Sequence, residues 1–189
     1  MSELTERLDN LKVLLQDRDF LEGKGLSNEV NIRMFCYDAA DEMAVRHFIE
    51  KVTTDQTLTS NVVEYNLYKI FLDICNDLDI TDAIADMEEL EGSAYVLEQL
   101  HSAVGESEFI AKMREMGDRR IGDVIMVTGV GDVFPLMRVH KMLEAMQPYF
   151  SDVPILVMYP GEYDGNYIKL FNILEPNPYY RAFNVVKGE

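Results

Sequence analysis

Basic residues are scarce in this chain: 17 Lys and Arg stand against 34 Asp and Glu among 189 residues, a formal net charge of -17. Stable binding to duplex DNA depends on clustered Lys and Arg that release counterions, so direct contact of that kind is not expected. Cysteine is scarcer still. Cys36 and Cys75 sit in separate apolar segments and form no CxxC pair. They read as buried thiols in a reducing compartment, with no zinc ligand set. No apolar run approaches the roughly 18 residues of a membrane span, so no membrane contact is expected. The opening Met1-Ser2-Glu3-Leu4-Thr5-Glu6 is acidic and lacks a signal-peptide apolar stretch, which points to the cytoplasm. Repeats, low-complexity tracts and Pro-rich linkers are also missing.

What is present suffices for a core, since 48% of residues are hydrophobic. The expectation is a single α/β domain over residues 1–189 with an acidic helical insertion at 67–116. Val30–Tyr37, Asn61–Tyr65, Asp123–Thr128, Pro154–Tyr159 and Tyr180–Val186 read as strands, the third and fourth as continuous apolar runs buried on both faces. Leu4–Leu15 reads as a helix packed outside the sheet. Asp38 or Asp41 is placed to cap a helix burying Met43, Ala44, Phe48, Ile49 and Val52. Leu67, Ile70, Phe71, Ile74, Cys75 and Leu78 keep helical spacing, and Ile80, Ala83, Ile84, Met87 and Leu90 continue it. Ser107 is a candidate N-cap for the next helix, and a further helix is expected over about 133–147. Strands alternating with helices predict a mostly parallel, roughly five-stranded sheet of Rossmann-like or degenerate nucleotide-binding-like kind. Strand order stays open.

The chemistry-bearing segments have two readings each. Thr128-Gly129-Val130-Gly131-Asp132 stands where a buried strand turns into a helix, the place where open α/β sheets bind phosphates. Phe134 replaces the third glycine of the dinucleotide fingerprint, and Asp132 brings negative charge, so a plain turn with Asp132 as helix cap is the alternative. No G-x-x-x-x-G-K-[ST] occurs; Gly23-Lys24-Gly25 lacks the strand-loop-helix context of a P-loop. Tyr159-Pro160-Gly161-Glu162-Tyr163-Asp164-Gly165 brings two carboxylates and aromatics to the same edge, either as a ligand loop or as a pair of turns. Glu162 and Asp164 are too few ligands for magnesium. A nucleotide or divalent-ion site, or a weakly catalytic one, would use Thr128, Gly129, Gly131, Tyr159, Glu162, Tyr163 and Asp164, with Arg138 or Arg181 for positive charge. His140 lies on a helix stripe and reads as a core residue. His47 and His101 have no Cys or second His at metal spacing. No G-x-S-x-G elbow is present, and the eleven methionines read as core filling. Neither a catalytic set nor a cofactor or metal is expected. Residues 70–111 hold eleven acids and no Lys or Arg. Asp82, Asp86, Glu88 and Glu89 in that stretch belong to a solvated face, a docking surface for a basic partner, or a DNA-like charge pattern.

The order of segments has a counterpart in a known family. Phe20-Leu21-Glu22-Gly23-Lys24-Gly25-Leu26-Ser27-Asn28-Glu29-Val30 and Asn61-Val62-Val63-Glu64-Tyr65-Asn66-Leu67-Tyr68 make the first half of the likeness. Val127-Thr128-Gly129-Val130-Gly131-Asp132-Val133-Phe134-Pro135-Leu136-Met137-Arg138, the 159–165 loop and Tyr179-Tyr180-Arg181-Ala182-Phe183 make the second. From about residue 5 to 186 the chain resembles the BrxB family of bacterial BREX anti-phage loci. The resemblance implies a non-catalytic accessory or assembly role in a complex that blocks phage replication, with the phosphatase-like PglZ protein as partner. It supplies no catalytic residue.

Overall fold

The computed structural model describes residues 2–23, 31–164, 166–175, 177, 178, 183 and 184. Lys24, Gly25, Gly165 and Arg181 lie outside them. Helices α1 (Glu3–Leu14) and α2 (Arg18–Leu21) lead into strand β1 (Ile32–Tyr37). Ser2 Oγ accepts the Thr5 N–H to cap α1, and Asp17 Oδ1 accepts the Phe20 N–H at 2.8 Å to cap α2. A short 3-10 turn at Ala39–Asp41, capped by Asp38, opens α3 (Glu42–Thr54), followed by β2 (Asn61–Asn66). Four helices come next: α4 (Leu67–Asp77), α5 (Thr81–Glu91), α6 (Ser93–Ala103) and α7 (Glu106–Glu115). After β3 (Asp123–Thr128) come α8 (Val130–Val133), α9 (Val139–Met146), β4 (Ile155–Tyr163), β5 (Tyr167–Leu170), β6 (Asn177–Pro178) and β7 (Phe183–Asn184).

The sheet runs β2-β3-β4-β1-β7 with all neighbours parallel, while β5 and β6 add antiparallel pairings at the end of β4. From β1 the chain crosses to the far edge at β2, then steps back through β3 to β4. A reversal of direction with constant crossover hand puts the connections on opposite faces. The alternation of side chains shows it. Phe35, Val62, Val124, Met126, Leu156 and Met158 pack with α1 and α3 on one face. Met34, Tyr65, Ile125, Val127, Ile155 and Val157 pack with α4 and α6–α9 on the other. The sheet is thus a parallel α/β core covered on both faces, as the apolar strand runs predicted.

Several local readings change. Helix α3 buries Val45, Ile49 and Val52, while Met43, 76% exposed, and Ala44 face solvent rather than the core. Gly105, not Ser107, is the N-cap of α7, because the Glu108 carboxylate turns back to accept the Gly105 N–H at 2.8 Å. The helix expected over 133–147 is split, since Pro135 has no N–H to continue it and α9 starts at Val139. Strand β4 does not stop at Tyr159 but runs on to Tyr163, where Gly161 and Tyr163 pair with Leu170 and Ile168 of β5. The hairpin was invisible because Pro160-Gly161 and Asp164 all read as turn residues.

Candidate functional site

Thr128 and Gly129 end β3 in a cavity of about 150 Å³ facing α3. Thr128 donates to Glu64 Oε1 at 2.6 Å, and Asn66 Oδ1 accepts the Lys69 N–H at 3.0 Å to cap α4. Gly129 has φ +68, and a Cβ there would stand 2.7 Å from Asn66 Oδ1, so the turn requires glycine. Asp132 does not cap α8; it accepts from Arg46 Nη2 at 2.6 Å, while Arg46 Nε donates to Glu42 at 2.7 Å. Tyr37 donates to the other Glu42 oxygen at 2.8 Å, and burial pushes its phenol well above the ordinary range. Four carboxylates (Glu42, Glu50, Glu64 and Asp132) therefore face this cavity against Arg46 and Lys69. Such an environment opposes a phosphate.

Gly131 faces elsewhere. A Cβ on it would meet the Phe171 ring at 2.8 Å and Pro160 at 3.4 Å, so its smallness serves the close approach of the segment after β5. Glu162, Tyr163 and Asp164 line a separate cavity of about 380 Å³ with Arg7, Cys36 and Asp38. Asp164 Oδ1 accepts the N–H groups of Asn166 and Tyr167, both at 2.8 Å, which closes the β4–β5 hairpin and holds the carboxyl below its ordinary range. Arg7 donates to the Cys36 carbonyl. Burial, with Glu162 nearby, pushes the Cys36 thiol up to about 12 despite Arg7, so it stays an unreactive thiol.

Arg138 and Tyr159 belong to a third cavity, of about 280 Å³, between α8, the start of α9 and the β4–β5 hairpin. Burial raises the Tyr159 phenol and lowers the His140 imidazole, the latter opposed by Glu144. The residues proposed for one sheet-edge site therefore divide among three concavities. His140, Glu64 and Arg46 join them without a sequence signal beyond a polar residue inside a strand or helix. No group of three His, Cys, Asp or Glu side chains among the described residues converges as metal ligands. No helix among them is long and apolar enough to cross a membrane.

Helix α5 is built differently from all of these. It has no buried residue, although Ile80, Ile84 and Met87 rest against the core on one side. Asp82, Asp86 and Glu89 at i, i+4 and i+7 occupy the opposite side. None of the three enters an ion pair among the described residues, and Leu90 beside Asp86 is 81% exposed. Glu88 points round the helix and accepts from Ser93 Oγ at 2.5 Å.

The family described as BREX protein BrxB matches residues 63–185, from β2 through the acidic helices to the last strand. The chain belongs to the BrxB family. A BrxB protein of Bacillus cereus (strain H3081.97) is 33% identical, across 98% of this chain and 99% of that protein. One from Escherichia coli O9:H4 (strain HS) is 26% identical, across 97% and 92%. No solved structure matches the chain. The matched residues 63–185 include both the acidic helices and the glycine turn.

Proposed function

We propose that this BrxB-family chain is a non-catalytic assembly component of a BREX phage-defence system, docking on another BREX protein through the outer face of α5. The phosphatase-like PglZ protein is the partner of choice. The observation that carries the reading is the row Asp82, Asp86 and Glu89 with Leu90 alongside. Like charges at i, i+4 cost an isolated helix about 0.2–0.5 kcal/mol per pair, and a face serving only solvation would gain from interspersed Lys. Here the helix carries acids and an exposed leucine, a combination suited to a basic surface with an apolar pocket.

The test is co-elution with the PglZ protein of the same locus, followed by light scattering at low and high salt. A stoichiometric complex that weakens with salt and is lost in Asp82→Lys/Asp86→Lys/Glu89→Lys supports the proposal. Unchanged affinity and salt slope in that variant would remove α5 as the docking face. Glu88→Lys serves as the comparison, because Glu88 is engaged by Ser93 and lies off the row.

A further inference from the structure

The third cavity has its lining sorted by chemistry. Val130, Met137, Ile168, Leu170 and Leu174 give it an apolar body. Arg138, His140 and Tyr159 supply the polar groups. Arg138 is the N-cap of α9, and its side chain accepts nothing from the first turn, so the Val139 and His140 N–H groups lack a capping side chain. Its carbonyl takes the Lys141 and Met142 N–H groups instead. Tyr159 is only 2% exposed as a residue, and its hydroxyl makes no hydrogen bond among the described residues while not being sealed from solvent. A guanidinium, an uncapped helix N-terminus and a spare phenol are all donors, which select an acceptor-rich, negatively charged group. Glu175, exposed at the mouth, is the carboxylate among the lining residues and disfavours a dianion. A cavity of mixed lining at the carboxyl end of a parallel sheet, with an apolar side and grouped polar residues, has the pattern of a small-ligand site.

We infer that this cavity binds a small monocarboxylic acid with an aromatic or branched apolar body, its carboxylate against Arg138 and the α9 N-terminus and its body against Met137, Ile168 and Leu170. The site is independent of α5 and stands or falls apart from the docking proposal. The experiment uses the full chain labelled at methionine methyls, titrated at constant ionic strength with phenylacetate, benzoate and 4-methylvalerate, and with phenylacetamide as the neutral counterpart. At least one acid should shift the Met137 methyl saturably, with phenylacetamide about tenfold weaker, a difference of about 1.4 kcal/mol. Arg138→Gln, at an exposed position, should weaken the acid by a similar factor and leave phenylacetamide unchanged. Tyr159→Phe should weaken the acid less. Equal binding of acid and amide, insensitivity to Arg138→Gln, or no Met137 response to any of the three acids would overturn the inference.

Discussion

Helices α4 and α5 are equal in length, adjacent in the chain and drawn from the same acidic stretch, yet they do different work. Each has eleven residues. Helix α4 buries Leu67, Ile70, Phe71, Ile74 and Cys75 and is capped by Asn66. Its Asp77 is held at 2.5 Å by Lys112 of α7. Helix α5 buries nothing completely, has no capping side chain, and leaves its row of acids without ion pairs among the described residues. Both display apolar periodicity. Depth of burial is what separates them: α4 packs against α7, α8 and the end of β2, whereas α5 rests mainly on α6. Amphipathic spacing shows which face turns inward, and neighbouring elements decide how much of that face is sealed from water.

The sharpest break of this comparison comes from truncating each inner face. Phe71→Ala should cost about 3–5 kcal/mol in urea unfolding, as for other large core side chains. Ile84→Ala on α5 should cost about 1 kcal/mol or less, because the site already has water on one side. Equal losses would mean that α5 is as integral as α4. Gly129→Ala comes next, at about 1–3 kcal/mol by thermal melting, since a Cβ at φ +68 is strained and crowds Asn66, the cap of α4. A loss that Asn66→Ala does not relieve would uncouple the glycine turn from that cap.

A smaller effect should appear with pH. Asp164 is held below its ordinary 3.8 by two backbone N–H groups. Its folded pKa is depressed, so its stabilising contribution is present above about pH 4 and fades as pH falls through the lower folded value. Asp164→Asn should flatten the acid limb of the stability–pH curve while leaving α4 and α5 alone. The smallest effect is expected where the binding effect is largest. Asp82→Lys/Asp86→Lys/Glu89→Lys should change the stability of the free protein by no more than about 0.5 kcal/mol. A larger destabilisation, measured in urea, would show the acids holding the fold rather than facing a partner.

Much of the architecture was legible because burial on both sides leaves an unbroken apolar signature. Asp123–Thr128 matches β3 residue for residue, and the periodicity of α4 predicted its buried face. The exception, Leu78, falls just past the helix end and is exposed. The candidate site was less legible. Thr128, Arg138 and Glu162 all sit near the carboxyl edge, but opposite faces of the sheet and the extension of β4 divide them. Turn-forming residues such as Pro160-Gly161 and Asp164 give the same local signal in a loop as at a bend within a hairpin.

Composition and periodicity alone determined that this chain forms a parallel α/β core with an acidic helical stretch between its second and third strands, because local patterns report which side of each element meets water. The assignment of β1 to a place between β4 and β7, the pairing of Arg46 with Asp132, and the meeting of Arg138 with Tyr159 were decided only by tertiary structure. Those contacts join residues far apart in the chain, and no period of 2 or 3.6 residues carries information about them.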